Sequence, residues 1–225
     1  MEYHPQVFIG KVQPTGHCGN SGIDKHQVGG LLQLLPLGLA GDEQAEKKFH
    51  GGPDRALCQY PAEHYHYWSQ CYPELIDLFI APAFGENLST TGMNEENVFI
   101  GDIYRWGDGM IQVTQPRSPC YKLNRMTGLE NFSLTLQNSG RCGWLYRVIK
   151  GGAVSANASL QLLSRNSDIS VKEAIAIAFH LPFDMSLYRR LLSASGLSAS
   201  WSYTMQKRIQ DKRIEDFNRR LFGHD

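Results

Sequence analysis

The feature that most constrains this chain is a change of hydrophobic period near residue 165. Before it, apolar runs are short and punctuated by glycine and proline. Residues 6–12 and 56–60 read as strands. Residues 103–106 and 110–114 flank Gly107-Asp108-Gly109, a strong hairpin signal, and residues 160–163 read as a further strand. Many short strands with this punctuation predict a barrel or a sandwich. Two helical inserts interrupt them, residues 62–71 after Pro61 and residues 131–138 before Gly140. After Asp168 the period is helical. Ser170-Val171-Lys172-Glu173 has the form of a capping box, and Val171, Ala174, Ile175, Ala178 and Phe179 share one stripe. A second helix carries Leu187, Leu191 and Leu192. A third, capped by Ser198, carries Trp201, Met205 and Ile209, with a last turn at Ile214, Phe217 and Leu221. The fold class is mixed and mainly β, with one domain over residues 1–165 and a helical domain over residues 166–225.

Charge and cysteine usage narrow the function. The 225 residues include 22 basic and 22 acidic side chains, and a polyanion partner usually demands a net basic face, so nucleic acid is disfavoured. The helical region carries 10 basic and 7 acidic residues, too small a surplus for a DNA-binding tail. No apolar run approaches the ~18 residues of a membrane span, and residues 1–5 lack the start of a signal peptide. A cytoplasmic protein without a membrane partner is expected. Five cysteines, at 18, 58, 71, 120 and 142, include no CxxC pair. That argues against a zinc knuckle, a cluster or a disulfide framework, and for reduced thiols.

Three segments could carry chemistry. Residues 115–123 (QPRSPCYKL) place Cys120 between two prolines and two cations, Arg117 and Lys122. Nearby cations favour a thiolate, which is nucleophilic and suits a soft metal. The same residues also suit a buried structural cysteine beside solvated charges. Residues 47–57 (KKFHGGPDRAL) combine paired glycines with Lys47, Lys48 and Arg55, a pattern for an anion or for an ordinary turn; they match neither a P-loop nor a dinucleotide motif. Residues 83–89 (AFGENLS) offer Asn87 to a heterocycle edge and Glu86 as an acid, a base or an ion-pair partner. His64 and His66 sit two apart, where side chains diverge on a helix, which argues against a shared metal.

Residues 41–57, 83–89, 100–107 (IGDIYRWG) and 115–124, in this order and followed by the helical tail, resemble the MOSC domain. The resemblance is closest to the bacterial YiiM family, whose members carry a small three-helix domain after the MOSC part. It spans residues 6–222; residues 15–30, which include Cys18, depart from it. It implies a β-barrel with helical inserts, a three-helix C-terminal domain, and a molybdenum cofactor of the molybdopterin type. It also implies one cysteine that ligates molybdenum and acts in catalysis, and only Cys120 matches it. By motif membership Lys48, Arg55, Arg117 and Lys122 balance cofactor charge, while His50, Gly51, Gly52, Asn87 and Ser118 bond the pterin or line its pocket. The implied activity is reduction of N-hydroxylated small molecules, such as 6-N-hydroxylaminopurine, which detoxifies mutagenic base analogues. No flavin, nicotinamide or iron–sulfur motif is visible, so an external donor, such as a flavin-containing reductase, would supply electrons. A non-catalytic cofactor carrier, or sulfur transfer through a Cys120 persulfide, are the alternatives; no pyridoxal-phosphate domain accompanies the chain.

Overall fold

A computed structural model describes residues 2–16, 19–45 and 51–223. Its strands, in chain order, are β1 Glu2–Tyr3, β2 Gln6–Ile9, β3 Gln13–Thr15, β4 Gly19–Ser21, β5 His26–Gln27, β6 Leu31–Leu35 and β7 Gly38–Leu39. They continue with β8 Leu57–Pro61, β9 Leu88–Thr90, β10 Ile103–Trp106, β11 Gly109–Pro116, β12 Trp144–Lys150, β13 Gly152–Ser155 and β14 Leu160–Ser164. The helices are α1 Ala62–Cys71, α2 Lys122–Thr127, α3 Phe132–Ser139, α4 Val171–Ile175, α5 Met185–Leu192, α6 Ala199–Asp211 and α7 Asn218–Phe222.

The main sheet has nine strands in the order β1-β14-β10-β11-β12-β8-β9-β2-β5. The expected glycine hairpin is present: β10 pairs antiparallel with β11, Trp106 facing Gly109, and Gly107 takes φ 55° at the turn. The expected closed barrel is not seen among the described residues. The sheet ends at β1 and β5, each two residues long, and β6, β7 and β13 form a separate three-stranded sheet. Short strands and turn signals set the element type, but closure depends on stagger and tilt across the whole sheet, which local pattern does not carry. The chain is thus a mixed α/β fold rich in sheet, followed by helices.

Helix α1 opens directly after Pro61 and buries Tyr65 and Trp68. These rings join Tyr60, Phe79, Phe84 and Phe132 in an aromatic cluster, with Tyr60 and Phe84 edge to face at 4.8 Å. Such pairs add ~1 kcal/mol beyond area burial, so this cluster fixes the loop that carries Glu86 and Asn87. In α4 the Ser170 hydroxyl accepts from the Glu173 amide at 3.0 Å, the expected cap. The stripe then widens into a π turn over Ala176–His180, where Leu181 N donates to Ala176 O at 2.9 Å. One hydrophobic cluster runs from Val7 through the strand residues to Ile175, Leu191 and Met205, so the core is continuous across residue 165. No helix among the described residues is long and apolar enough to cross a membrane.

Candidate functional site

Strand β11 ends at Pro116, and the next residues bring the thiol out of the sheet. Arg117 N donates to Gly143 O at 3.0 Å, which ties the start of the loop to the strand opposite. Proline at 116 and 119 limits the backbone freedom of residues 117–120. Cys120 is half-buried and faces a cavity of about 1090 Å³. Arg55, Asn87, Arg117, Ser118 and Lys122 line the same cavity, so six of the ten residues singled out in the sequence converge there. Gly51 and Gly52 are described but are not among its lining residues. Gly52 takes φ 99°, a left-handed conformation that favours glycine, and starts the 3₁₀ turn Pro53–Arg55. Lys48, His50 and Cys18 lie outside the described residues.

Each polar group on the sheet side has its own electrostatic setting. Asn87 is 2% exposed and its amide is committed: Oδ1 accepts from Cys58 N at 3.1 Å, and Nδ2 donates to Asp42 at 2.8 Å and to Phe8 O at 3.3 Å. Asp42 in turn forms a buried ion pair with Lys25. Asn87 therefore braces the cavity wall through bonds within the protein. Arg117 differs, because its Nη1 atom is buried without a hydrogen-bond partner. Burial opposes its charge, yet Cys58, Cys120 and Glu86 nearby hold its pKa above the ordinary arginine value. An orphaned buried guanidinium nitrogen costs about 1–3 kcal/mol, and a bound anion or acceptor would remove that cost.

Two further residues belong beside the site, Cys58, which the sequence did not single out, and Glu86, which it offered as an acid or base. Cys58, read as an ordinary cysteine, lines the cavity against Arg117. Burial pushes its thiol pKa up and the Arg117 charge opposes that rise. Glu86 is fully buried, receives a hydrogen bond from the Tyr65 hydroxyl at 2.5 Å, and leaves Oε2 unpartnered. Burial raises its carboxyl pKa to about 7, against the pull of Tyr65 and Arg117. A carboxyl in that range can hold or release a proton near neutrality. Its signal in sequence is the AFGENLS run, which names the acid but not its burial. The remaining thiols stand apart: Cys71 is exposed and Cys142 is buried in the core, and no disulfide joins the described cysteines. His64 pairs with Glu95 at 2.7 Å.

The opposite wall comes from the helices after residue 170. Phe179, Trp201, Met205 and Phe217 face the cavity, with Phe179 edge-on to Trp201 at 5.8 Å and to Phe217 at 5.6 Å. This wall is docked by the second half of the HGGPDRAL run. Asp54 accepts from Ala199 N at 2.8 Å at the start of α6, and Arg55 donates to the Ser200 hydroxyl at 3.0 Å. Ser198 N adds a bond to Thr114 O on β11 at 3.0 Å. A thiol, a guanidinium with one unpartnered nitrogen, further cations and several rings line one cavity, which suits a ligand that is anionic at one end and planar at the other. The sheet-side donors fit a molybdenum cofactor: Cys120 would be a soft ligand, and Arg117, Arg55 and Lys122 would balance a phosphate.

Comparison with known proteins identifies the family. Residues 46–161 match the MOSC domain, and residues 169–211 match the YiiM-like 3-alpha helix domain. The chain is 59% identical to protein YiiM of Escherichia coli strain K12 over 223 residues, covering 99% of this chain and all of that one. A crystal structure of the Escherichia coli YiiM superposes with a TM-score of 0.88 and 54% identity, over 99% of this chain and 100% of that one. A protein of Gibberella moniliformis named as a reductase is 39% identical over 163 residues, 71% of this chain but 29% of its own length. The chain belongs to the YiiM family of MOSC-domain proteins.

Proposed function

We propose that the chain is a molybdenum-cofactor-dependent reductase of N-hydroxylated compounds, N-hydroxylated purines among them, and that it detoxifies mutagenic base analogues. The observation that carries this reading is Cys120 on one cavity with a buried, unpartnered Arg117 nitrogen. The cavity of about 1090 Å³ is at the upper end of the range for small-ligand pockets, about 300–1,000 Å³, as a large cofactor requires. When bound, the cofactor supplies the metal centre and the two-electron chemistry that removes oxygen from an N–OH group.

The protein does the rest. Cys120 would hold the metal through its sulfur, and Arg117, Arg55 and Lys122 would hold anionic groups. Ser118 borders the same space. Glu86, raised to about 7, can take up or release a proton near neutral pH beside Arg117. The aromatic wall takes a planar base and excludes water from the reacting end. Electrons come from an external partner, in keeping with the absence of a flavin or nicotinamide motif, and a flavin-containing reductase suits that role. The relative named as a reductase supports the oxidoreductase class.

The test is to purify the protein from a molybdenum-replete host, measure metal and pterin, and assay 6-N-hydroxylaminopurine reduction with a chemical reductant. Molybdenum with turnover is the expected result. Molybdenum without turnover on any N-hydroxylated compound would replace the reductase by a cofactor carrier. A Cys120 persulfide without molybdenum would replace it by sulfur transfer.

A further inference from the structure

The loop that carries Cys120 is held by residues a hundred positions later in the chain. The Arg220 guanidinium donates through Nη1 to Pro119 O, next to the thiol residue, and through Nη2 to Gln137 Oε1 at 2.6 Å. The Arg220 carbonyl accepts from Tyr121 N at 2.8 Å, on the other side of Cys120. One residue thus bonds both neighbours of the cysteine. The next carbonyl, Leu221 O, accepts from Asn124 Nδ2 at 2.8 Å and from the Ser133 hydroxyl at 2.7 Å, both buried. Gly223, at φ 84°, packs so closely on the Tyr121 ring that a Cβ there would lie 3.1 Å from it. The guanidinium is also seated over the Phe179 and Phe217 rings, at 5.0 and 5.1 Å. Arginine suits this place because its planar fork reaches two acceptors at once while its face stacks on rings.

We propose that Arg220 is a positioning residue for Cys120: α7 latches the thiol loop, so that the helical region sets the direction in which the sheet domain presents its sulfur. A backbone bonded on both sides of one residue keeps that side chain's origin fixed, and a ligand preorganised in this way binds its metal without an ordering cost. The latch adds to the shared core and the α6 contacts a direct tie from the last helical turn to the cysteine loop. The proposal rests on reading Cys120 as the cofactor ligand, but its first readout does not.

That readout is amide hydrogen exchange, by mass spectrometry, of the cofactor-free full chain and its Arg220→Ala and Arg220→Lys variants. In Arg220→Ala the peptide spanning residues 118–124 should exchange roughly tenfold faster, with strands β11 and β12 unchanged, because local opening is freed while global stability is kept. Arg220→Lys, which keeps the charge and one donor, should recover part of the protection. Should Arg220→Ala loosen the whole molecule, the Lys variant alone decides, and faster exchange confined to residues 118–124 is again required. Wild-type exchange of that peptide in both variants would overturn the latch. The second readout is the molybdenum-to-protein ratio after purification from a molybdenum-replete host, expected to fall by more than half in Arg220→Ala and to recover in Arg220→Lys. A loosened loop that retained its molybdenum in full would keep the latch but remove its role in positioning a metal ligand, and with it the proposal.

Discussion

The sheet-side wall of the cavity and the helix-side wall are built from different materials. On the sheet side most polar groups are locked into bonds within the protein, as Asn87 is to Cys58, Phe8 and Asp42, and only a few atoms such as Arg117 Nη1 are left for a ligand. On the helix side the rings and thioether of Phe179, Trp201, Met205 and Phe217 stand among charged groups, Arg208, Glu215, Asp216, Arg219 and Arg220, of which Arg208 and Glu215 are paired with each other. The difference teaches a division of labour. On the proposed function, the sheet side would select charge and a soft metal, because its donors are fixed. The rings of the helix side would favour a flat ligand between its charged groups. Neither wall is complete alone: Asp54, Arg55 and Thr114 hold α6 against the strands.

Substitutions can break or sharpen this contrast. The largest effect is expected at Glu86, a fully buried acid behind the sheet-side wall. Its folded pKa of about 7 lies above the unfolded value near 4.5, so the folded state binds the extra proton and stability falls as pH rises from about 4.5 to 7. Glu86→Gln should abolish that slope and gain about 3 kcal/mol over the parent at pH 8, read from urea unfolding across pH. Equal slopes in the two proteins would show that Glu86 is not held in this way. Next comes Arg117→Met, which removes the orphaned donor. Loss of one charge-assisted bond, about 2 kcal/mol, should weaken cofactor retention roughly thirtyfold, measured by exchange of bound pterin against added competitor. Unchanged retention would move the anion site elsewhere. On the helix side, Trp201→Leu should lower kcat/KM for a planar N-hydroxylated purine about fivefold relative to an aliphatic hydroxylamine, the ~1 kcal/mol of a ring contact. An equal loss for both substrates would reduce that wall to packing. The smallest effects separate two thiols: Cys58→Ser, beside Arg117, should alter retention by about twofold, whereas Cys71→Ser, exposed and remote, should leave it unchanged.

Legibility in the sequence followed the range of the interactions. Local signals were readable: the Gly107-Asp108-Gly109 hairpin, α1 over Ala62–Cys71 after Pro61, and the Ser170 and Ser198 caps, the latter accepting from Trp201 N at 3.2 Å. What depended on contacts far apart in the chain was not. The parallel pairing of β8 with β9 comes through α1 and the following loops, and sheet closure depends on register, so neither had a local signature. Cys120 and Arg117 were readable because proline, cation and thiol are neighbours in the chain. Cys58 was not, since its place against Arg117 follows from the β8–β12 pairing. The helical stripe of Trp201 and Met205 read as packing because the same residues both seal a core and line a cavity.

The central claim is that Cys120 is the protein's molybdenum ligand and that catalysis depends on it. The most direct measurement pairs molybdenum content with 6-N-hydroxylaminopurine reduction in the wild-type protein and in Cys120→Ser, both purified from the same molybdenum-replete host and both checked for an intact fold. Molybdenum bound near one per chain with turnover in the wild type, and both lost in Cys120→Ser, is the result expected of a soft thiolate ligand that a hydroxyl cannot replace. A Cys120→Ser protein that kept its molybdenum and its full activity would contradict the account.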